Sequence, residues 1–78
     1  MDSKEKKRLQ VLGVRVNMYR KLKGYSIEQF AEMIGRSPTL IQKLEAPNTS
    51  VSISLRTLFR ICDQLEITAS KLFDGLDD

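Results

Sequence analysis

Thr39, Gln42 and Lys43 place a hydroxyl, a carboxamide and an ammonium close together on a segment opened by Ser37 and Pro38. Side chains of these types donate to and accept from the edges of a polar partner, and none is an activated nucleophile. The rest of the chain offers no catalytic alternative. It has no histidine, its single cysteine is Cys62, and it contains neither a spaced set of metal ligands nor a glycine loop that could cradle phosphate. The sequence therefore predicts a binding protein and not an enzyme, with no cofactor, no metal and no small-molecule ligand.

The charge distribution says what such a surface would bind. Residues 1–45 carry ten Lys/Arg against five Asp/Glu, and residues 46–78 carry three against five, so a half with net charge +5 precedes one with −2. The basic half contains the candidate binding segment, which suits an anionic partner, although a merely solvated charged face would show the same pattern. No apolar run approaches the length that spans a bilayer, and the start of the chain is polar rather than signal-like, so the expected location is the cytoplasm. A lone cysteine fits a reducing compartment. With 78 residues there is material for one core.

The elements that must position the polar residues can be read from caps and periodicity. Leu9, Leu12, Val16 and Tyr19 recur at helical spacing over residues 9–23, with Gly24 as a stop. Ser26 and Gln29 form a capping-box pattern ahead of a short helix with Ile27, Phe30, Ala31 and Ile34 on one face, closed by Gly35. Ser37-Pro38 opens a third helix that runs to about Glu45. After a loop through Pro47, Asn48, Thr49 and Ser50, Ser54 caps a fourth helix over residues 55–65, and Thr68 caps a brief fifth one ending at Phe73. Residues 51–55 alternate in the β period, but a strand without a partner is unstable, so a loop is expected there. The expected organisation is a flexible basic segment over 1–8, one domain over 9–73 and an acidic tail over 74–78.

Ala31, Gly35 and Ile41 complete this picture. A small residue, a glycine able to take positive φ and a β-branched residue at these offsets fit two helices crossing through a tight turn, the spacing of a helix-turn-helix. In order along residues 12–73, Leu12-Gly13, Val16, Arg20, Gly24-Tyr25-Ser26, Phe30-Ala31, Gly35, Ser37, Ile41, Leu44-Glu45, Leu58, Ile61-Cys62, Leu65 and Leu72-Phe73 resemble the Cro/repressor-type (XRE) helix-turn-helix family. The resemblance implies an all-α, five-helix, λ-repressor-like domain with the helix-turn-helix at helices two and three. It also implies double-stranded DNA as partner, with the third helix in the major groove.

On that resemblance Ser37, Thr39, Gln42 and Lys43 are the expected base-reading residues. Glutamine can pair with adenine, lysine can donate to guanine, and threonine offers a hydroxyl and a methyl group. Ser26, Arg36, Asn48 and Thr49 are the expected phosphate contacts, Ser26 with the backbone N–H groups at the start of helix two. Phe30, Ala31, Gly35, Ile41 and Leu44 form the expected scaffold, and Arg20 with Glu45 an ion pair tying helix one to helix three. The chain departs from the family at Ile27, where glutamine is frequent, at Arg36, and at Pro38 and Leu40, which stand where polar residues are usual. Ile27, Pro38 and Leu40 suit the alternative of a protein-interaction adaptor or antitoxin-like module with weakened DNA binding, whereas Arg36 reads as a compensating phosphate ligand and, with Gln42 and Lys43, suits DNA. The leading expectation is a sequence-specific transcriptional regulator, a repressor acting as a homodimer, with Phe59, Ile67, Leu72 and Leu76 as its candidate dimer surface; packing into the core is the competing reading of those four. Cys62 is expected to be a core thiol.

Overall fold

A computed structural model describes residues 3–47 and 51–76. Among these the chain forms five helices and no strand: α1 (Ser3–Leu22), α2 (Ile27–Ile34), α3 (Pro38–Glu45), α4 (Leu55–Leu65) and α5 (Ala69–Phe73). The first helix starts earlier than its apolar period suggests. Lys, Glu and Arg are good helix formers, and residues 3–8 make the opening turns of α1 in place of the flexible segment expected there. At the other end the chain turns after α5, with Leu76 N–H donating to the Phe73 carbonyl at 3.0 Å.

The caps explain why the middle helices start where they do. Ser26 Oγ accepts from Gln29 N–H at 3.0 Å while Gln29 Oε1 accepts from Ser26 N–H at 2.9 Å, so the capping box is reciprocal. Ser37 Oγ accepts from Leu40 N–H and Ser54 Oγ from Thr57 N–H, at 3.2 and 3.1 Å. Thr68 differs from expectation: its hydroxyl lies 2.8 Å from Ser70 Oγ and makes no side-chain cap bond to the backbone. Residues 51–54 lead into α4 without strand structure.

One core joins the five helices. Leu12 and Val16 of α1, Phe30, Ala31 and Ile34 of α2, Ile41 and Leu44 of α3, Leu58, Ile61, Cys62 and Leu65 of α4 and Leu72 of α5 are all buried. Leu72 is fully buried, so it belongs to this core and leaves the candidate dimer surface. A leucine in a five-residue helix lying against α1 and α4 is the residue that holds that helix down. Tyr25 stacks on Phe30, with ring centroids 6.2 Å apart, closing the core beneath the α1–α2 turn. Two arginines fasten α1 to the far end of the chain: Arg15 Nη1 donates to the Leu72 carbonyl at 3.0 Å and Arg8 Nε to the Leu76 carbonyl at 2.9 Å.

Candidate nucleic-acid interface

The α2–α3 crossing begins at Gly35. Its φ of 68° is left-handed, and its N–H turns back to the Glu32 carbonyl at 3.1 Å while Arg36 N–H reaches the Ala31 carbonyl at 2.9 Å. That double bond pattern ends α2 within one residue and aims the chain into Ser37. A β-carbon at Gly35 would also stand 3.0 Å from Arg60 Nη1, which donates to the Ile34 carbonyl at 3.2 Å. The end of that flexible side chain can yield by a few tenths of an ångström, so it is the left-handed backbone that asks for glycine.

Helix α3 then divides by periodicity. Ile41 and Leu44 are buried beside Phe30 and Ala31, so Ser37, Thr39, Gln42 and Lys43 are left on the exposed side of the helix. Pro38 is exposed among them and Leu40 is half-buried. The exposed side thus offers a hydroxyl pair, an amide and an ammonium in consecutive turns, with an apolar patch at its start.

What fixes α3 against α1 is a buried clamp. Glu45 Oε2 accepts from Arg20 Nε at 2.7 Å and Oε1 from Arg20 Nη2 at 2.8 Å, a bidentate pair with both side chains less than a tenth exposed. Asn17 Nδ2 donates to Glu45 Oε1 at 2.7 Å, and the remaining arm of Arg20, Nη1, donates to the Tyr25 carbonyl at 2.7 Å. The hydrogen bonds that Arg20 donates to Glu45 raise its pKa above the ordinary value against the opposing effect of burial, so the guanidinium stays charged. One carboxylate at the end of α3 thereby ties together α1 and the α1–α2 turn.

Sequence reasoning misses Asn17, and it gives Gly13 a place in the family pattern without a contact. Both look like interruptions of the apolar stripe of α1. With Arg20 they recur at i, i+4 and i+7, and that spacing of a glycine, an amide and an arginine was the available signal for a close polar contact. A β-carbon on Gly13 would overlap the Leu44 carbonyl oxygen and lie 3.0 Å from its carbon, so glycine here lets the backbones of α1 and α3 touch.

The expected phosphate contacts fare differently. Ser26 is exposed, but its N–H is held by Gln29 Oε1 and its Oγ accepts from Gln29 N–H, so the backbone donor expected at Ser26 is already used within the capping box. Glu28 is exposed in the first turn of α2 and sets a negative charge beside that helix start. Arg36 is half-buried and turned inward: Nε donates to Thr57 Oγ1 at 2.9 Å and Nη1 to the Gly35 carbonyl at 2.9 Å. Thr57 is itself buried and bonded to Ser54 Oγ at 3.0 Å, so Arg36 braces the start of α4 against the turn. An arginine in a turn carries no sequence mark that separates bracing from phosphate binding. Asn48 and Thr49 lie outside the described residues.

Other chemistry is sparse. Among the described residues no group of three or more His, Cys, Asp or Glu could hold a metal ion, and no helix is long and apolar enough to cross a membrane. Cys62 is buried, and burial, with a smaller contribution from Asp63, pushes its thiol up from the ordinary value.

A helix-turn-helix family model matches residues 16–72, from the middle of α1 to the buried Leu72. The HTH-type transcriptional regulator SlrR of Bacillus subtilis (strain 168) is 34% identical over 65 residues, which cover 83% of this chain and 42% of that protein. The chain thus spans less than half the length of this relative. It belongs to the XRE-type helix-turn-helix family.

Proposed function

We propose that the chain binds double-stranded DNA sequence-specifically through α3, in the cytoplasm, as a homodimeric repressor that occludes a promoter. The observation that carries this reading is the exposed row Ser37, Thr39, Gln42 and Lys43 on a helix whose other side is locked by Ile41, Leu44 and the Glu45 clamp. Rigid presentation matters because reading a base edge requires hydrogen-bond geometry fixed before contact. A transcriptional regulator among its relatives supports the same role. Two copies set one helical turn apart on DNA would each read a half-site. Leu55 and Phe59 stand exposed one turn apart on α4, and Ile67 is half-buried, which makes the Phe59 side the proposed dimer contact.

The test is selection of bound duplexes from a random pool, followed by titration at several salt concentrations. A recovered palindrome and steep weakening with salt are the expected results; no binding even at low salt would remove the proposal. Gln42→Ala is expected to relax preference at one base position, costing about 1–3 kcal/mol of discrimination. The rival reading, an adaptor or antitoxin-like module, draws on the exposed Pro38, the half-buried Leu40 and the inward-turned Arg36. Absence of DNA binding together with retained fold would favour it.

A further inference from the structure

The outer side of α1 is a second surface, remote from the one assigned to DNA. Gly13, Asn17 and Arg20 face α3, whereas Val11, Val14, Met18 and Leu22 lie on average about 140° around the helix at 3.6 residues per turn. Val14, Met18 and Leu22 follow one another at i, i+4 and i+8 and are 53%, 46% and 75% exposed. This apolar row runs into a groove of about 260 Å³ between the first half of α1 and the turn after α5, floored by Val11 and Leu76 and rimmed by Lys4, Lys7, Arg8 and Arg15. Arg8 and Arg15 are held by the Leu76 and Leu72 carbonyls, which positions their charge without neutralising it. Neither Lys4 nor Lys7 is paired among the described residues.

We infer that this face docks an acidic amphipathic helix of another protein. The occupant follows from the charge pattern. Helix α1 carries seven Lys/Arg against one Glu, and six remain when the buried Arg20 that Glu45 neutralises is left out, so a second copy laid along it would bring cations against cations. Nucleic acid would satisfy the cations but leave the row of Val14, Met18 and Leu22 uncovered. A helix with apolar residues at i, i+3, i+4 and i+7 and carboxylates beside them covers the row and neutralises the rim at once. The groove at Val11 and Leu76 takes the apolar side chain at one end of that helix.

The probe is a fluorescein-labelled peptide as long as α1, with leucines at that spacing and glutamates flanking them, compared with a scrambled peptide of the same composition. The full chain is titrated against each by anisotropy, and amide shifts are mapped by NMR. Binding of the ordered peptide is expected to shift Val14, Met18 and Leu22. Met18→Glu is expected to weaken it by about tenfold or more, the loss that follows when one covered apolar side chain leaves an interface. Lys7→Glu is expected to weaken it by about threefold at low salt and less at high salt. Met18→Leu, which keeps the row apolar, is expected to bind as the parent does. Equal binding of the scrambled peptide, or none of either, overturns the inference. So does displacement of the peptide by duplex DNA with shifts on the same α1 residues, or self-association that Met18→Glu abolishes. Failure of DNA binding at α3 leaves these outcomes unaffected.

Discussion

Gly13 of α1 lies so close to the Leu44 carbonyl of α3 that a single added β-carbon would overlap it. The neighbouring atoms are backbone, which cannot swing aside as a flexible side chain could. Gly13→Ala therefore has to push α1 away from α3. Overpacking of this kind costs about 1–3 kcal/mol, exceeding the small gain in helix propensity from replacing glycine. Urea unfolding is expected to show a lowered midpoint; an unchanged or raised one would mean that the two helices separate freely.

The Arg20–Glu45 clamp gives a sharper expectation. Glu45→Ala leaves a buried guanidinium without its carboxylate and strands the Asn17 amide, a loss of about 3–5 kcal/mol by analogy with other buried pairs. Because Arg20 still has the Tyr25 carbonyl, the loss should fall at the lower end. Replacing both residues with apolar ones of similar size is expected to cost less than Glu45→Ala alone. Thermal denaturation of the two variants beside the parent checks this ordering, and an unchanged melting temperature for Glu45→Ala would dismiss the clamp as a stabilising contact.

How far the sequence anticipates this molecule depends on whether a feature has a local signature. Ser26, Ser37 and Ser54 mark their helices because N-capping is a contact between neighbours in sequence. Gly35 and Ile41 likewise announce the turn. The start of α1 has no such mark, since lysines and arginines favour helix without creating an apolar period. Gly13, Asn17 and Arg36 owe their roles to partners 31, 28 and 21 residues away, Leu44, Glu45 and Thr57. Residue type alone leaves those partners unspecified. Leu72 shows the same limit, because a leucine near a chain end reads equally well as surface or core. The exposed residues of α3 could be placed because the buried Ile41 and Leu44 between them set the helical phase.

Burial of the Cys62 thiol has a consequence in alkali. Its pKa is raised in the folded chain, first by desolvation and then by Asp63, so the folded state resists forming the thiolate. A group raised in this way contributes stability that is fully present below the unfolded thiol pKa, about 8.5, and is lost as pH rises through the folded value. Cys62→Ala is therefore expected to flatten the fall in stability above about pH 8.5, although it also removes a packed side chain and lowers the whole curve. Alkylation of the native protein should be slow and should accelerate in denaturant. Rapid labelling of the folded chain at neutral pH would contradict the buried, protonated thiol.

Arg36 separates bracing from phosphate binding. Its Nε donates to Thr57 Oγ1, whose own neighbour is the α4 cap Ser54, so Arg36→Gln should loosen the start of α4 and cost about 1–2 kcal/mol of stability. A phosphate ligand would behave differently: its removal weakens binding to every duplex and lowers the salt slope by about one charge. The expected result is a lower melting temperature with an unchanged slope of log affinity against log salt concentration. Thr57→Val, which removes the acceptor but keeps the shape, is expected to reproduce the stability loss, since it leaves the same guanidinium N–H without its partner. A reduced salt slope in Arg36→Gln with unaltered stability would return this arginine to the DNA surface and make its bond to Thr57 incidental.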